Sequence, residues 1–393
     1  MLAGLIVACA EAEGEAVLRA ELPIAGQTLI EHQARLLAAA GAAHIIILVE
    51  RLPAPLLAAI DRLKRDGLGV DIARSVADAA DRIHPEERLL LVADGLVTGA
   101  GTLDHLLSHD GSAILTLPDR PETAEWELID AQTRWGGLLL LDGELMRSTS
   151  AMLGDWDLQS TLLRRAVQAG ARFVEAPGGT LVILDSRILS EPVQDALGRE
   201  AAEQPRGMVD RFIFAPLARL AAPRAMRAML APIWFDWAAI GLTLLAAIIF
   251  AVGWAWPGLV LLLLAGPVEA VGRWLATLAW RHNAPENWRV AATGAAWLAL
   301  GWRLFRDGAG WGALLLAVTA IALWVAIRDH HRFIGRPARA PLWLASLDEL
   351  IWLQLPFALL GLWVIGLGAA ALYLFATLLM TQRLTARKGN ERP

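Results

Sequence analysis

The feature that most constrains this chain is the apolar run at residues 257–280, PGLVLLLLAGPVEAVGRWLATLAW. About 20 apolar residues at 1.5 Å rise suffice to cross the hydrocarbon core of a bilayer as a helix, so the run reads as a membrane span. Its middle carries Glu269 and Arg273. Ionisable groups at that depth are costly and face a cavity or one another, which marks a functional site. The acid precedes the base by four residues, the favoured order for a helical ion pair, so a self-neutralising structural pair is the competing reading.

Six apolar segments follow one another, at 234–256, 257–280, 291–305, 311–327, 347–365 and 367–380. Hydrophobic residues make up 56% of the chain, and most of the excess, like most of the 17 Trp, lies in this half, as interfacial anchors would. The basic stretches 281–289, 328–339 and 383–392 fall on one side of six spans, and Arg303 and Arg306 on the other. By the positive-inside rule both termini and the N-terminal domain are cytoplasmic and the spans cross the inner membrane. Just before the spans, MVDRFIFAPLARLAAPRAMR interleaves Val209, Phe212, Ile213, Leu217 and Leu220 with Arg211, Arg219, Arg224 and Arg227. That pattern is an amphipathic helix over 208–230 lying on anionic headgroups, so the bilayer is the expected partner.

A chain of 393 residues allows about two domains. Acidic residues outnumber basic ones before Gln204 and the reverse holds after it, so an acidic soluble half precedes a basic membrane half. Nothing in that balance points to nucleic acid. Cys9 is the one cysteine, which excludes a disulfide framework and a cysteine metal site. The opening MLAGLIVACAEAEGEA has a short apolar run with no basic leader and reads as a first buried strand rather than a signal peptide.

Residues 1–190 alternate strand-like and helix-like segments, the pattern of a layered, Rossmann-like α/β domain with a mostly parallel sheet. Strands are expected at 4–9, 44–49, 69–73, 88–93, 112–117, 137–141 and 180–184, and helices at 28–40, 55–66 and 157–169, with Gly41 and Gly170 at helix ends. The polar stretch 191–207 reads as a linker. Asp155 and Asp157 flank Trp156 before a helix, and capping accounts for one of them.

The run LPIAGQTLIEHQARLLAAAGAAHIIILVE at 22–50 resembles the start of sugar-phosphate nucleotidyltransferases. LLLVADG at 89–95 and LVILDSR at 181–187 are similar to that family's two strands that end in metal-binding aspartates, here Asp94 and Asp185. The resemblance implies Mg2+ or Mn2+ at those carboxylates, against the phosphates of a nucleotide-linked ligand. A strand-end turn aspartate is the other reading of Asp94, since Asp-Gly is ordinary turn chemistry. Where the family has a glycine-rich loop with an arginine and a lysine, this chain has CAEAEGEAVLRAELP. Gly14 and Arg19 are left as the loop glycine and the cation, while Glu11, Glu13 and Glu15 place like charge where phosphates would lie, which argues against nucleotidyl transfer.

The whole arrangement resembles a bifunctional fusion of the inositol-phosphate cytidylyltransferase and di-myo-inositol-phosphate phosphate synthase type, whose second half is a CDP-alcohol phosphatidyltransferase. Residues 205–223 look like its juxtamembrane helix, with Arg211 in the ligand-holding position, and 346–368 like its fifth span. That family carries D-x-x-D-G-x-x-A-R and then G-x-x-x-D-x-x-x-D, four carboxylates that grip metal ions on a diphosphate. With Gly272-Arg273 in place of Ala-Arg, the first two aspartate positions fall on Ala265 and Val268, and the second pair falls near Asn287 and Ala291. Glu269, Arg273 and Glu286 remain as the catalytic candidates.

Three functions stay open on this basis: a phospholipid or inositol-phosphate-type head-group protein with a degenerate centre that holds a ligand or supports a partner, an active phospho-alcohol transferase using a CDP-alcohol at an altered site, and a lipid or solute carrier. The resemblance also implies a homodimer. Asp348 and Glu349 at the start of the fifth span could line the mouth of a cavity but read rather as interfacial, and His330-His331 beside Asp329 could hold a metal but read rather as headgroup-facing polarity, since adjacent histidines do not converge on one ion.

Overall fold

In the computed structural model, residues 1–152, 157–178, 181–202, 207–227, 231–280, 286–334 and 341–390 are described. The chain divides into two compact units, Met1–Ala201 with Leu278–Arg281, and Ala202–Thr277 with His282–Pro393.

The first unit runs β1 (Leu2–Val7), β2 (Pro23–Ile24), β3 (Gln27–Thr28), α1 (Leu29–Ala39), β4 (His44–Leu48), α2 (Ala54–Arg65), β5 (Val70–Ala73), α3 (Val76–Asp81), β6 (Arg88–Val92), β7 (Leu96–Thr98), α4 (Ala100–Leu107), β8 (Ala113–Pro118), β9 (Leu128–Asp130), β10 (Thr133–Asp142), α5 (Gly143–Ser150), α6 (Leu158–Gln168), β11 (Arg172–Glu175), β12 (Leu181–Ile183) and α7 (Arg187–Ala202). The main sheet has the order β11-β8-β10-β6-β1-β4-β5, with β9 against β10. Its centre is parallel, with Leu5 level with Ile46 on one side and Leu91 on the other. β10 is antiparallel to both of its neighbours, β6 and β8. β1, β4 and β6 are near-continuous apolar runs because both faces of a parallel strand are covered. All seven expected strands and all three expected helices form. The late strand at 180–184 differs in company: β12 pairs with β7 in a small separate ribbon.

A buried charge network ties α1 to α2. Thr28 and Glu31 form a capping box, Thr28 N and Oγ1 donating to Glu31 Oε2 at 3.0 and 2.8 Å. Arg62 reaches over from α2 with two bonds of 3.0 and 2.8 Å to the same carboxylate. Arg35 joins Glu31 to Asp66, 2.7 Å away at the end of α2. Burial alone would raise the Glu31 carboxyl, but the Arg62 bonds, the Thr28 bonds and the Arg35 charge outweigh it and hold it down to about 2. Asp157 caps α6 by accepting from Ser160 N at 2.8 Å, as expected, while Asp155 lies outside the described residues.

The stretch read as a linker is helical in α7 as far as Ala202. The second unit then has a π-helical turn (Asp210–Phe214) and α8 (Ala215–Arg227), followed by α9 (Pro232–Val252), α10 (Ala255–Ala279), α11 (Glu286–Leu304), α12 (Trp311–Ile334), α13 (Leu347–Leu359) and α14 (Trp363–Asn390). Where the sequence predicts six spans, four helices among the described residues are long and apolar enough to cross a membrane: Pro232–Val252, Ala255–Ala279, Trp311–Phe333 and Trp363–Thr385. α13 falls short because Gly361, at φ 74°, turns the chain after 13 residues, about 20 Å of helix against a core of about 30 Å. α11 has 19 residues, but Glu286, Arg289 and Arg303 lower its apolar character. Much of the basic loops that oriented the spans, 281–285 and 335–340, lies outside the described residues.

Candidate functional site

In the first unit, the loop after β1 holds the residues Glu11, Glu13, Gly14, Glu15 and Arg19 singled out in the sequence. A β-bridge between Glu11 and Leu18 closes it, with Gly14 exposed at its tip at φ 71°. Several of its backbone N–H groups already have protein acceptors. Cys9 N and Ala10 N both donate to Asp94 Oδ2 at 2.7 Å. Ala12 N donates to Val17 O at 2.8 Å and Glu13 N to Asp185 O at 2.7 Å. A phosphate cradle needs such donors free and convergent. Here they fasten the loop to the ends of β6 and β12.

Asp94 follows β6 and is almost wholly buried. Burial pushes its carboxyl up to about 6, against the pull of the Ala10 and Cys9 N–H groups and the charge of Arg19. Arg19 lies over Gly95, its Cδ 3.3 Å from where a Cβ there would stand, and its Nε is buried with no acceptor among the described residues. Leu184 N donates to Gly95 O at 2.7 Å, so the ends of β6 and β12 do bring Asp94 and Asp185 to one region. The glutamates have basic neighbours: Glu15 lies 2.9 Å from Arg187, and Glu11 pairs with Arg51. Among the described residues no three acidic, histidine or cysteine side chains gather around one point. One oxygen of Asp94 holds two N–H groups and the N–H groups of Ala12 and Glu13 are also taken up, so these groups are turned to the protein itself.

In the second unit, Glu269 and Arg273 share a face of α10 but do not pair with each other. Arg273 Nη2 lies 2.5 Å from Asp210 Oδ1 in the π-helical turn. Glu269 Oε2 lies 2.8 Å from Arg289 Nε on α11. Arg289, only 5% exposed, also bonds Thr243 Oγ1 on α9 and points Nη2 toward Asp348 Oδ1 on α13 at 3.8 Å. The reading of an isolated i,i+4 pair is therefore corrected, because nearer guanidinium and carboxylate partners come from other helices. The pairing leaves each acid bound to an arginine of this chain rather than aimed at a shared point. Glu286 opens α11, and its side chain lies outside the described residues. Arg211 is exposed, with its guanidinium carbon 5.7 Å from the Phe212 ring centre. Its neighbour Asp210 is the residue that turns to the bundle.

The interfacial reading of Asp348 and Glu349 is corrected too. Glu349 is buried, accepting from Met208 N at 2.6 Å and Ser346 N at 2.7 Å, so it caps α13 and also holds the entry to the juxtamembrane helix. A side chain on Gly207 would collide with this carboxylate. One turn on, Phe214 is fully buried in the space left by Gly266, and its ring meets Trp352 edge-on at 6.2 Å. Sequence reasoning missed Arg289 and Asp210, and it set the inward reading of Asp348 below the interfacial one. The spacing of charges on the apolar segments showed that each needs a partner, without showing which.

The fold and these sites define a chain with an α/β unit built on a mostly parallel sheet and a helical unit with four helices able to cross a membrane. Its N-terminal half is similar in structure to a protein described as a glucose-1-phosphate thymidylyltransferase from Bacillus anthracis in complex with sucrose, at 13% identity and a TM-score of 0.38, over 50% of this chain and 94% of that one. It is similar also to a nucleotidyl transferase from Methanothermobacter thermautotroptrophicus, at 19% identity and a TM-score of 0.37, over 50% of this chain and 96% of that one. No protein-family profile matches the chain, and no curated protein matches it.

Proposed function

We propose that this chain is a membrane protein of the CDP-alcohol phosphatidyltransferase lineage, joined to a nucleotidyltransferase-like domain, in phospholipid or inositol-phosphate-type head-group metabolism. Its transfer centres no longer transfer, and it serves as a ligand-holding or partner-supporting protein. The observation that carries this reading is the closed loop after β1, whose N–H groups at Cys9, Ala10, Ala12 and Glu13 are bound to Asp94, Val17 and Asp185. The ion pairs of Glu269 and Arg273 support it, since carboxylates bound to arginines are poor ligands for Mg2+ or Mn2+.

The domains of this reading are 1–190, a linker over 191–207, an interfacial helix over 208–230 lying on anionic headgroups, and a membrane domain over 231–393. The termini are cytoplasmic, the membrane is the inner one, and the working form is a homodimer. Purified full-length protein given a CDP-alcohol, an inositol phosphate and Mg2+ or Mn2+ releases no CMP on this account. Metal-dependent CMP release that is lost in Glu269→Gln would instead establish an active phospho-alcohol transferase with an altered site.

A further inference from the structure

Two carboxylates of the helical unit share one guanidinium. Arg289 Nε holds Glu269 Oε2 at 2.8 Å, whereas its Nη2 stands 3.8 Å from Asp348 Oδ1, beyond hydrogen-bond reach. Arg273 does not make up the difference, because its Nη2 is bound to Asp210 Oδ1 at 2.5 Å. The charged groups facing Asp348 are Glu269 and Arg273 of α10, Arg289 of α11 and Asp210 of the π-helical turn. Two acids and two bases leave the charge of Asp348 itself uncompensated. Its neighbour Glu349 is turned to Met208 N and Ser346 N, and Asp236 of α9 stands against Gly272.

The surroundings make that charge costly. Asp348 Oδ1 is buried with no hydrogen-bond donor among the described residues, 3.0 Å from where a Cβ on Gly266 would stand and beside the Phe214 ring. A carboxylate without a donor in such a place is disfavoured against its neutral form. A metal ion does not supply the missing charge, since no three acidic, histidine or cysteine side chains gather around one point among the described residues. A proton does. The Asp348 side chain is 15% exposed, so a proton can reach it, while Glu269 keeps its bonded arginine and stays ionised.

We propose that Asp348 is a proton-binding site of the helical unit, and that its proton decides how firmly α13 and the turn at Asp210–Phe214 are held. Neutral Asp348 leaves Arg289 to Glu269 and Arg273 to Asp210. Ionised Asp348 draws on both guanidiniums and repels both acids, which loosens the packing at Gly266, where Asp348 and Phe214 meet. The assignment rests on the ion pairs of the helical unit and not on the state of either transfer centre, so it can fail or hold independently of CMP release.

The test follows the C=O stretch of protonated carboxyls by difference infrared spectroscopy, on the full chain in phosphatidylglycerol nanodiscs titrated from alkaline to mildly acidic pH. All samples carry Asp94→Asn, so that the buried carboxyl of the α/β unit does not contribute. A band is expected at a pH above the range of ordinary carboxyls, and the melting temperature rises as pH falls through it, because the folded state then binds a proton that the unfolded chain does not. Asp348→Asn removes that band and flattens the rise. Glu269→Gln keeps the band and moves its midpoint toward acid by about one pH unit, since Arg289 then turns to Asp348. A spectrum of Asp348→Asn with the band intact overturns the site, as does a band that vanishes in Glu269→Gln. Should Asp348→Asn not fold, the Glu269→Gln midpoint decides: a shift toward acid supports the site and an unchanged midpoint overturns it.

Discussion

Arg289 on α11 holds Glu269 on α10 by an Nε–Oε2 contact of 2.8 Å, twenty residues back along the chain, and is itself almost completely buried. Removing one partner of such a pair leaves an uncompensated charge in an apolar interior, which costs about 3–5 kcal/mol. Arg289→Ala is therefore expected to lower the detergent-solubilised melting temperature sharply. The double variant with Glu269→Ala recovers part of that loss, since the stranded carboxylate goes as well. A melting temperature for Arg289→Ala equal to that of the wild type would contradict the network.

Gly266 and Phe214 give a second expectation. A Cβ on Gly266 would stand 2.5 Å from Phe214 Cζ and 3.0 Å from Asp348 Oδ1. Overpacking of that kind costs roughly 1–3 kcal/mol. Gly266→Ala should destabilise the helical unit by that amount, and combining it with Phe214→Leu should cost less than the two changes separately. Additive losses from circular-dichroism melts would mean that the two residues do not share this space.

The first unit makes a prediction in pH. His32 is fully buried, and burial holds its imidazole down to about 4 from 6.5. The folded state binds fewer protons than the unfolded chain between those values, so stability from this group falls as pH drops from about 6.5 to 4, by about 3 kcal/mol at most. Asp94 has the opposite sign. Its carboxyl, raised from 3.8 to about 6, takes a proton in the folded state first, so its contribution rises as pH drops from about 6 to 4. The two partly cancel in the wild type. In Asp94→Asn the gain disappears and the His32 loss stands alone, so the melting temperature of that variant falls more steeply with acid. A slope identical to that of the wild type would remove Asp94 from the balance.

Asp94→Asn is informative at neutral pH as well. An amide oxygen can still accept from Cys9 N and Ala10 N, without the cost of a buried charge. The variant should melt at or above the wild-type temperature at pH 7.5. A loss of several degrees would show that the carboxylate charge itself is needed there, as it would be beside a cation.

Much of the α/β unit was legible because buried parallel strands are written as uninterrupted apolar runs between glycines and helix caps, as in His44–Leu48 and Arg88–Val92. Leu96–Thr98 and Arg172–Glu175 escaped notice, the first for its length and the second for its charged ends. α13 was read too long because its hydrophobicity runs on through Gly361, where the backbone turns. The site was half legible. Helical spacing put Glu269 and Arg273 on one face, but their partners stand 20 and 63 residues away, and periodicity names a face, not what lies opposite it. The acidic loop after β1 was plain in the sequence, whereas the use of its N–H groups depends on Asp94 and Asp185 arriving from β6 and β12.

The central claim is that this loop is closed to a nucleotide triphosphate, and pyrophosphate release measures it most directly. Full-length protein incubated with CTP, an inositol or sugar phosphate and Mg2+ or Mn2+ should release pyrophosphate no faster than buffer containing the same metal. Release above that background that is lost in Asp94→Ala and Asp185→Ala would contradict the account and make the α/β unit a working nucleotidyltransferase.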